Sequence, residues 1–211
     1  MSTTEADVVG LRSAILGEVE SGRRFRMMLP PGWETHDLSE KARDALLERA
    51  GARFARHHRP DLFASLSAQV ERAVEEMRSQ QAVALAFAGD ESPTWSLGTA
   101  SLLGTVRVGT PEMPLDSIVR RAIDRGGVAI DEDFRIVRWT ERRAVSMDGV
   151  DLDTTMVNYL IPVPGTQRGK AVQWTLTIPH EQDLPVDDPR LEMWVELMDA
   201  HVATFQWDAK Q

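Results

Sequence analysis

The chain has 211 residues, 42% of them hydrophobic, which suffices for one domain with a real core and argues against two. Its 33 acidic against 24 basic side chains give a net charge of −9, which opposes the counterion-release attraction that draws proteins onto nucleic acid and disfavours anionic membrane surfaces. With no cysteine, the sequence excludes disulfides, thiolate metal ligands and a cysteine nucleophile, and no apolar run approaches the roughly 18–20 residues of a membrane span.

Residues 1–22 read as a polar arm or short helix. Val8, Leu11, Ile15 and Val19 recur at helical spacing, and Gly10, Gly17 and Gly22 interrupt them. There is no basic n-region and no uninterrupted h-region, so a cytoplasmic location is expected. A single α+β domain is expected over 23–211. It opens on Phe25-Arg26-Met27-Met28-Leu29, a short apolar strand running into Pro30-Pro31-Gly32 and Trp33. The two prolines stop further pairing, and Gly32 turns the chain so that Trp33 can reach the core.

A two-helix insertion follows at about 38–80. Asp37-Leu38-Ser39-Glu40 resembles a capping box for a helix to about Arg56, and Pro60 suits the first turn of a second, with Leu62, Phe63, Leu66, Val70, Val74 and Met77 on one stripe. Ala82–Ala88 and Ser96–Val108 read as strands, the second carrying small residues Gly98, Ala100 and Gly104 that let another backbone or side chain approach. Leu115, Ile118, Val119, Ala122 and Ile123 predict a helix stopped at Gly126-Gly127.

The last third alternates as a sheet. Phe134–Trp139 and Arg143–Met147 are strand pieces, Asp148-Gly149 is a hairpin signal, and Val150–Ile161 and Lys170–Pro179 alternate apolar and polar side chains. Asp188-Pro189 then begins a helix with Leu191, Trp194, Val195, Met198, Val202 and Phe205 on one broad face, ending near Trp207. The order predicts an antiparallel β-sheet flanked by helices, an α/β/α sandwich.

No catalytic, metal or phosphate motif stands in this pattern. His57-His58 are adjacent and share no helix face, His201 falls on the apolar stripe of the last helix, and His36 and His180 lie near turns with no carboxylate at a metal spacing. Asp131-Glu132-Asp133 and Asp148, Asp151, Asp153 are the densest carboxylates. The second group lacks the ligand order of a calcium loop and has Tyr159 where the terminal Glu should stand. No serine lies in a Gly-x-Ser-x-Gly elbow, and neither Gly98-Thr99-Ala100-Ser101 nor Gly104-Thr105-Val106-Arg107 is a phosphate loop. No cofactor or metal ligand is therefore assigned. The six tryptophans are many for this length, and Trp33, Trp95, Trp139 and Trp207 are the candidates for a partner or ligand surface, where Trp is enriched.

The opening Phe25–Trp33 segment, the helix Leu115 to Asp124, the Asp148-Gly149 hairpin with its long following strands and the closing helix Leu191 to Phe205 together resemble the PsbP-like family of α/β/α sandwiches, over about 185 residues. Against that pattern, the helices between Trp33 and Ala82 are long and the lipoprotein cysteine of some members is missing. The resemblance implies a binding or assembly factor without a catalytic constellation, and it transfers no functional residue. The expected function is accordingly a non-enzymatic cytoplasmic protein-binding or accessory factor with a protein partner and no nucleic acid, and homo-oligomers fit the same reading. Its Ala, Arg, Val and Glu content suggests an actinobacterial source. Two alternatives stand beside it. One is a small-molecule or lipid carrier with an apolar pocket between sheet and helices, lined by Met27, Met28, Met156, Trp174 and Met198. The other is a hydrolase, which would need at least two of the histidines close to a carboxylate.

Overall fold

Strand Ala14–Val19 (β1) pairs antiparallel with Arg23–Met28 (β2), which pairs in turn with Gln206–Trp207 (β10), so three segments from opposite parts of the chain make a small sheet. The structure is a computed structural model that describes residues 14–19, 22–36, 44, 71–72, 74–88, 100–133, 135–147, 150–182, 184–185 and 187–208. A second, seven-stranded sheet is antiparallel at every pair. It runs Trp33–His36 (β3), Ala82–Ala88 (β4), Ser101–Val108 (β5), Lys170–His180 (β9), Val150–Pro162 (β8), Val137–Met147 (β7) and Val128–Ala129 (β6). Two helices lie against this sheet, α1 over Leu115–Asp124 and α2 over Pro189–Val202, and a further helical segment is described at residues 74–79. The class is α+β, with α1 on one face of the large sheet and α2 on the other.

The segment Pro30-Pro31-Gly32-Trp33 is the crossover between the two sheets. Trp33 N–H donates to Pro30 O at 3.2 Å, and Gly32 has φ 76°, the left-handed value that a type II turn requires at its third position. Pro31 presets the second position. The turn thus ends β2 and delivers Trp33, 2% exposed, as the first residue of β3.

Residues 14–19 correct the expectation of an arm or helix. Ile15 and Val19 are buried, Leu16 and Glu18 are exposed, and the strand is fixed by its register with β2. Spacings of 4 fit a strand as well as a helix, because 4 is also a multiple of the strand period. The pieces expected at Phe134–Trp139 and Arg143–Met147 are one strand, β7, continuous from Val137 and paired with β8 through Met147↔Val150. Asp148-Gly149 at the turn between β7 and β8 lies outside the described residues, as does most of the two-helix insertion expected at about 38–80. Residues 74–79 are helical, as expected.

One face of the large sheet forms the main core. Leu102, Val106, Val157, Tyr159, Ile161, Val172, Trp174, Leu176 and Ile178 alternate inward and meet Leu191, Trp194, Met198 and Val202 of α2 and Ile15, Phe25 and Met27 of the small sheet. Each such large apolar side chain contributes roughly 1.5–3 kcal/mol on burial. α2 begins at Asp188, whose Oδ1 accepts from Arg190 N–H at 2.9 Å, with Pro189 in the first turn. Behind it, Phe25 stacks with Phe205 at 5.3 Å between ring centroids and meets Trp174 and Trp207 edge-on at 5.6 and 5.9 Å. The chain packs this aromatic group by placing Gly17 opposite Phe25 in the ladder; a Cβ there would lie 2.3 Å from the ring.

Candidate functional site

The opposite face of the large sheet holds the site. Strand alternation puts Leu103, Thr105 and Arg107 of β5, Ala171, Gln173 and Thr175 of β9, Met156, Asn158 and Leu160 of β8, and Val137, Trp139, Glu141 and Arg143 of β7 on that side. Register sets them in rows across the strands: Leu103, Thr175, Asn158 and Trp139 form one, and Thr105, Gln173, Leu160 and Val137 the next.

α1 closes one end of this face. Leu115 and Ala122 pack on Trp139, Leu160 and Ala171, with Ile118, Val119 and Val137 beside them. The helix stops where it must. Gly126 has φ 87°, its N–H donates to Ile123 O, and Gly127 N–H reaches back to Ala122 O at 2.8 Å, the double closure of a glycine C-cap. Beside α1 the sheet is left as a cleft of about 740 Å³ whose lining includes Met113, Ile118, Met156, Trp139 and the polar side chains of the rows above.

Its floor is a closed polar network. Gln173 Nε2 donates to Asn158 Oδ1 at 2.8 Å and to Thr175 Oγ1 at 3.2 Å, while Thr175 Oγ1 donates to the same Asn158 oxygen at 2.9 Å. Arg107 Nε donates to Gln173 Oε1 at 2.8 Å. Asn158, Gln173 and Thr105 are all buried. These bonds use Asn158 through Oδ1 and leave its Nδ2 at the cleft without a partner among the described residues.

The rim is cationic. Among the described residues, Arg107, Arg121, Arg125 and Arg143 line the cleft against a single acidic side chain, Glu141. That carboxylate is shared: it accepts from Trp139 Nε1 at 3.2 Å and from Arg143 at 3.2 Å, with Arg125 at 4.0 Å. Arg125 and Arg143 keep side-chain exposures of 69% and 63%, against 29% for Glu141.

A second polar cluster lies on the α2 side of the sheet. Tyr159 O–H donates to Asp199 at 2.9 Å, and Arg138 pairs with the same carboxylate at 3.3 Å. Burial pushes Asp199 above the usual carboxylate range, although Tyr159 and Arg138 pull the other way; burial, with help from Asp199, also pushes Tyr159 above its usual range. Arg142 pairs with Asp153 at 3.3 Å and donates to Leu184 O at 2.5 Å, and Thr155 Oγ1 stands 2.9 Å from His180 Nε2. These groups partner one another across β7, β8 and β9 as a structural plug, in which the buried Nε atoms of Arg138 and Arg142 face Asp199 and Asp153 as ion pairs without a hydrogen bond.

The tryptophans and histidines singled out from the sequence separate in the structure. Trp33 is buried and meets Trp194 edge-on at 5.9 Å. Trp139 forms a wall of the cleft, Trp207 is half-buried against Phe25 and Phe205, and Trp95 lies outside the described residues. His36 packs edge-on to Phe87, His180 belongs to the plug, and His201 sits in α2 with burial pressing it below its usual range. These three occupy separate elements with separate partners; His57 and His58 lie outside the described residues. Asp131 caps the following turn by accepting from Ile136 N–H at 2.7 Å, and Asp133 pairs with Arg135.

Of the carrier lining, Met27, Trp174 and Met198 are packed in the main core, whereas Met156 is on the cleft face, so the five residues do not form one pocket. The sequence reading missed the cleft arginines and the Asn158–Gln173–Thr175 floor. Their signal was present in the alternation, since a strand with polar residues on the face away from the core carries either solvent or a ligand there. Among the described residues no group of three or more His, Asp or Glu is placed to hold a metal ion, and no helix is long and apolar enough to cross a membrane.

No family model matches the chain, and no curated protein matches it. Among solved structures, the Ran-binding protein Mog1p of Saccharomyces cerevisiae is similar with a TM-score of 0.43 and 11% identity, over 92% of this chain and 95% of that one. A point mutant of the protein Mog1 scores 0.44 at 9% identity over the same shares. A protein of Bacteroides thetaiotaomicron scores 0.42 at 10% identity over 88% of this chain, which spans 46% of that one. At these values no residue role passes to this chain.

Proposed function

We propose that the chain is a non-enzymatic protein-binding or accessory factor that presents the cleft between α1 and the large sheet to a segment of a protein partner. The observation that carries this reading is the reversal of charge at the cleft: among the described residues four arginines and one glutamate line it, in a chain whose net charge is −9. A local cationic rim over a hydrogen-bonding floor supports recognition of a polar surface, and interfaces of reversible complexes are about as polar as the rest of the surface. A cytoplasmic location belongs to the same reading.

The test is comparative capture from the native host, using the wild-type chain and an Arg121→Glu/Arg143→Glu variant of matched stability. A protein retained by the wild type and lost by the variant is the expected result. Identical recoveries from both chains would remove the cleft from the function.

A carrier of a polar small molecule is the second reading. It is favoured by one number, the 740 Å³ of the cleft, which falls within the roughly 300–1,000 Å³ of ligand sites.

A further inference from the structure

We infer that the cleft recognises an acidic segment of its partner, and that Glu141 stands in the free protein where a partner carboxylate sits in the complex. This rests on the protein-binding reading above and specifies the chemistry of the occupant.

Four guanidiniums converge on one space, and each is only partly satisfied by the chain itself. Arg107 uses its Nε on Gln173, Arg121 uses its Nε on Ser117 O at 3.4 Å, and Arg125 and Arg143 share Glu141. An arginine fork carries five donors in a plane suited to carboxylates, so each rim residue retains donors for an incoming anion. The floor adds the Nδ2 group of Asn158, a donor on a residue that is 2% exposed. A donor-rich floor beneath a cationic rim is complementary to an acceptor-rich, anionic partner and mismatched to a basic or apolar one.

The chain as a whole repels such a partner, so attraction must be short-ranged. At physiological salt, charges more than about 8 Å apart are largely screened, which lets the rim act independently of acidic residues elsewhere. Glu141 then has a definite role. It satisfies Arg143 and Trp139 and lies near Arg125 when the cleft is empty, and it opposes a second carboxylate by like-charge repulsion when the cleft fills. It is a built-in competitor, which limits affinity and sharpens the demand for several partner carboxylates at once.

The two members of one ion pair should therefore act with opposite signs. Binding of a fluorescein-labelled hexaglutamate peptide, followed by anisotropy at low salt, is expected to be saturable. Arg143→Gln should weaken it about tenfold, the usual scale for losing a charge-assisted hydrogen bond, and Arg121→Gln should weaken it similarly. Glu141→Gln keeps an acceptor for Trp139 and should tighten binding several-fold. Circular dichroism confirms that each variant is folded. Absence of saturable binding, or binding indifferent to both arginine variants, overturns the inference, as does weakening by Glu141→Gln. Citrate binding as tightly as the peptide, with the same arginine dependence, overturns the peptide occupant in favour of a small anion. If the cleft captures a host protein while hexaglutamate fails to bind, the acidic chemistry falls and the protein-binding reading stands.

Discussion

Gly104 of β5 and Trp174 of β9 face each other across the sheet, and a Cβ on Gly104 would lie 2.8 Å from the indole ring. The absence of a side chain on one strand is what lets the largest side chain of the neighbouring strand lie flat in the core. Trp174 is fully buried and held edge-on against Phe25, so relief of the clash would have to displace core side chains. Gly104→Ala is expected to destabilise by about 1–3 kcal/mol, the range for overpacking a filled interior. Urea unfolding checks this, with the midpoint falling and the slope unchanged. A wild-type midpoint in the alanine variant would mean that the pair is looser than its geometry indicates.

Tyr159 is the single tyrosine of the sequence and is fully buried with its hydroxyl on Asp199. Burial, reinforced by the Asp199 charge, holds its ionisation above the ordinary value of 10.0. A pKa raised in the folded state means that its contribution to stability is complete below about pH 10 and is lost as the pH rises further. Absorbance at 295 nm should thus show no tyrosinate near pH 10 while the protein is native. The signal should appear together with loss of far-ultraviolet circular dichroism. Tyrosinate forming in the folded protein near pH 10 would contradict the buried hydroxyl.

Asp199 gives a test in the acid range. Its carboxyl is raised above 3.8 chiefly by burial, so between 3.8 and that raised value the folded state holds more proton than the unfolded state. Stability from this group is full below about pH 4 and declines as the pH rises through the raised value. Asp199→Asn removes that decline. The stability of the variant relative to wild type, measured by denaturant unfolding at pH 3.5 and pH 7, should improve with rising pH. A relative stability that worsens toward pH 7 would show that the Arg138 pair outweighs burial.

Arg142 supplies the donors that hold together the polar plug, reaching Asp153, Leu184 O and the His180 ring. Arg142→Met should cost about 2–3 kcal/mol, because Asp153 and the Leu184 carbonyl then keep their desolvation cost without a partner. Asp153→Leu added to it should recover part of the loss, since both halves of the pair are then apolar. A double-mutant cycle measures the coupling. Additive losses would place Arg142 and Asp153 in separate environments.

Much of the fold was legible in the order of elements because the long strands obey a strict period of two. Lys170–His180 buries one face under α2 together with Val157, Tyr159 and Ile161 of β8, and Val172, Trp174, Leu176 and Ile178 announce that face directly. The small sheet was not legible. Ile15 and Val19 repeat at a spacing common to helix and strand, and β10 has two residues, fewer than any alternation can reveal. The site was only half legible for a related reason. Alternation says that Gln173 and Thr175 leave the core, but their meeting with Asn158 depends on the register of β8 with β9, and that is fixed by the whole sheet. The arginines come from β5, α1, the α1 terminus and β7, and no spacing in the sequence joins them.

The small sheet also sets the order of events during synthesis. Arg26 on β2 bonds to Gln206 across 180 residues, and Met28 N–H donates to Thr204 Oγ1 at 2.9 Å. The strand that covers Phe25 is therefore among the last described segments to leave the ribosome. Until it arrives, an early strand bearing a fully buried aromatic residue waits with one edge open. Such an edge invites mispairing, and closing it across so long a loop is slow. The pairing of Arg26 with Gln206 and of Phe25 with Trp207 therefore closes only after nearly all of the large sheet has been made.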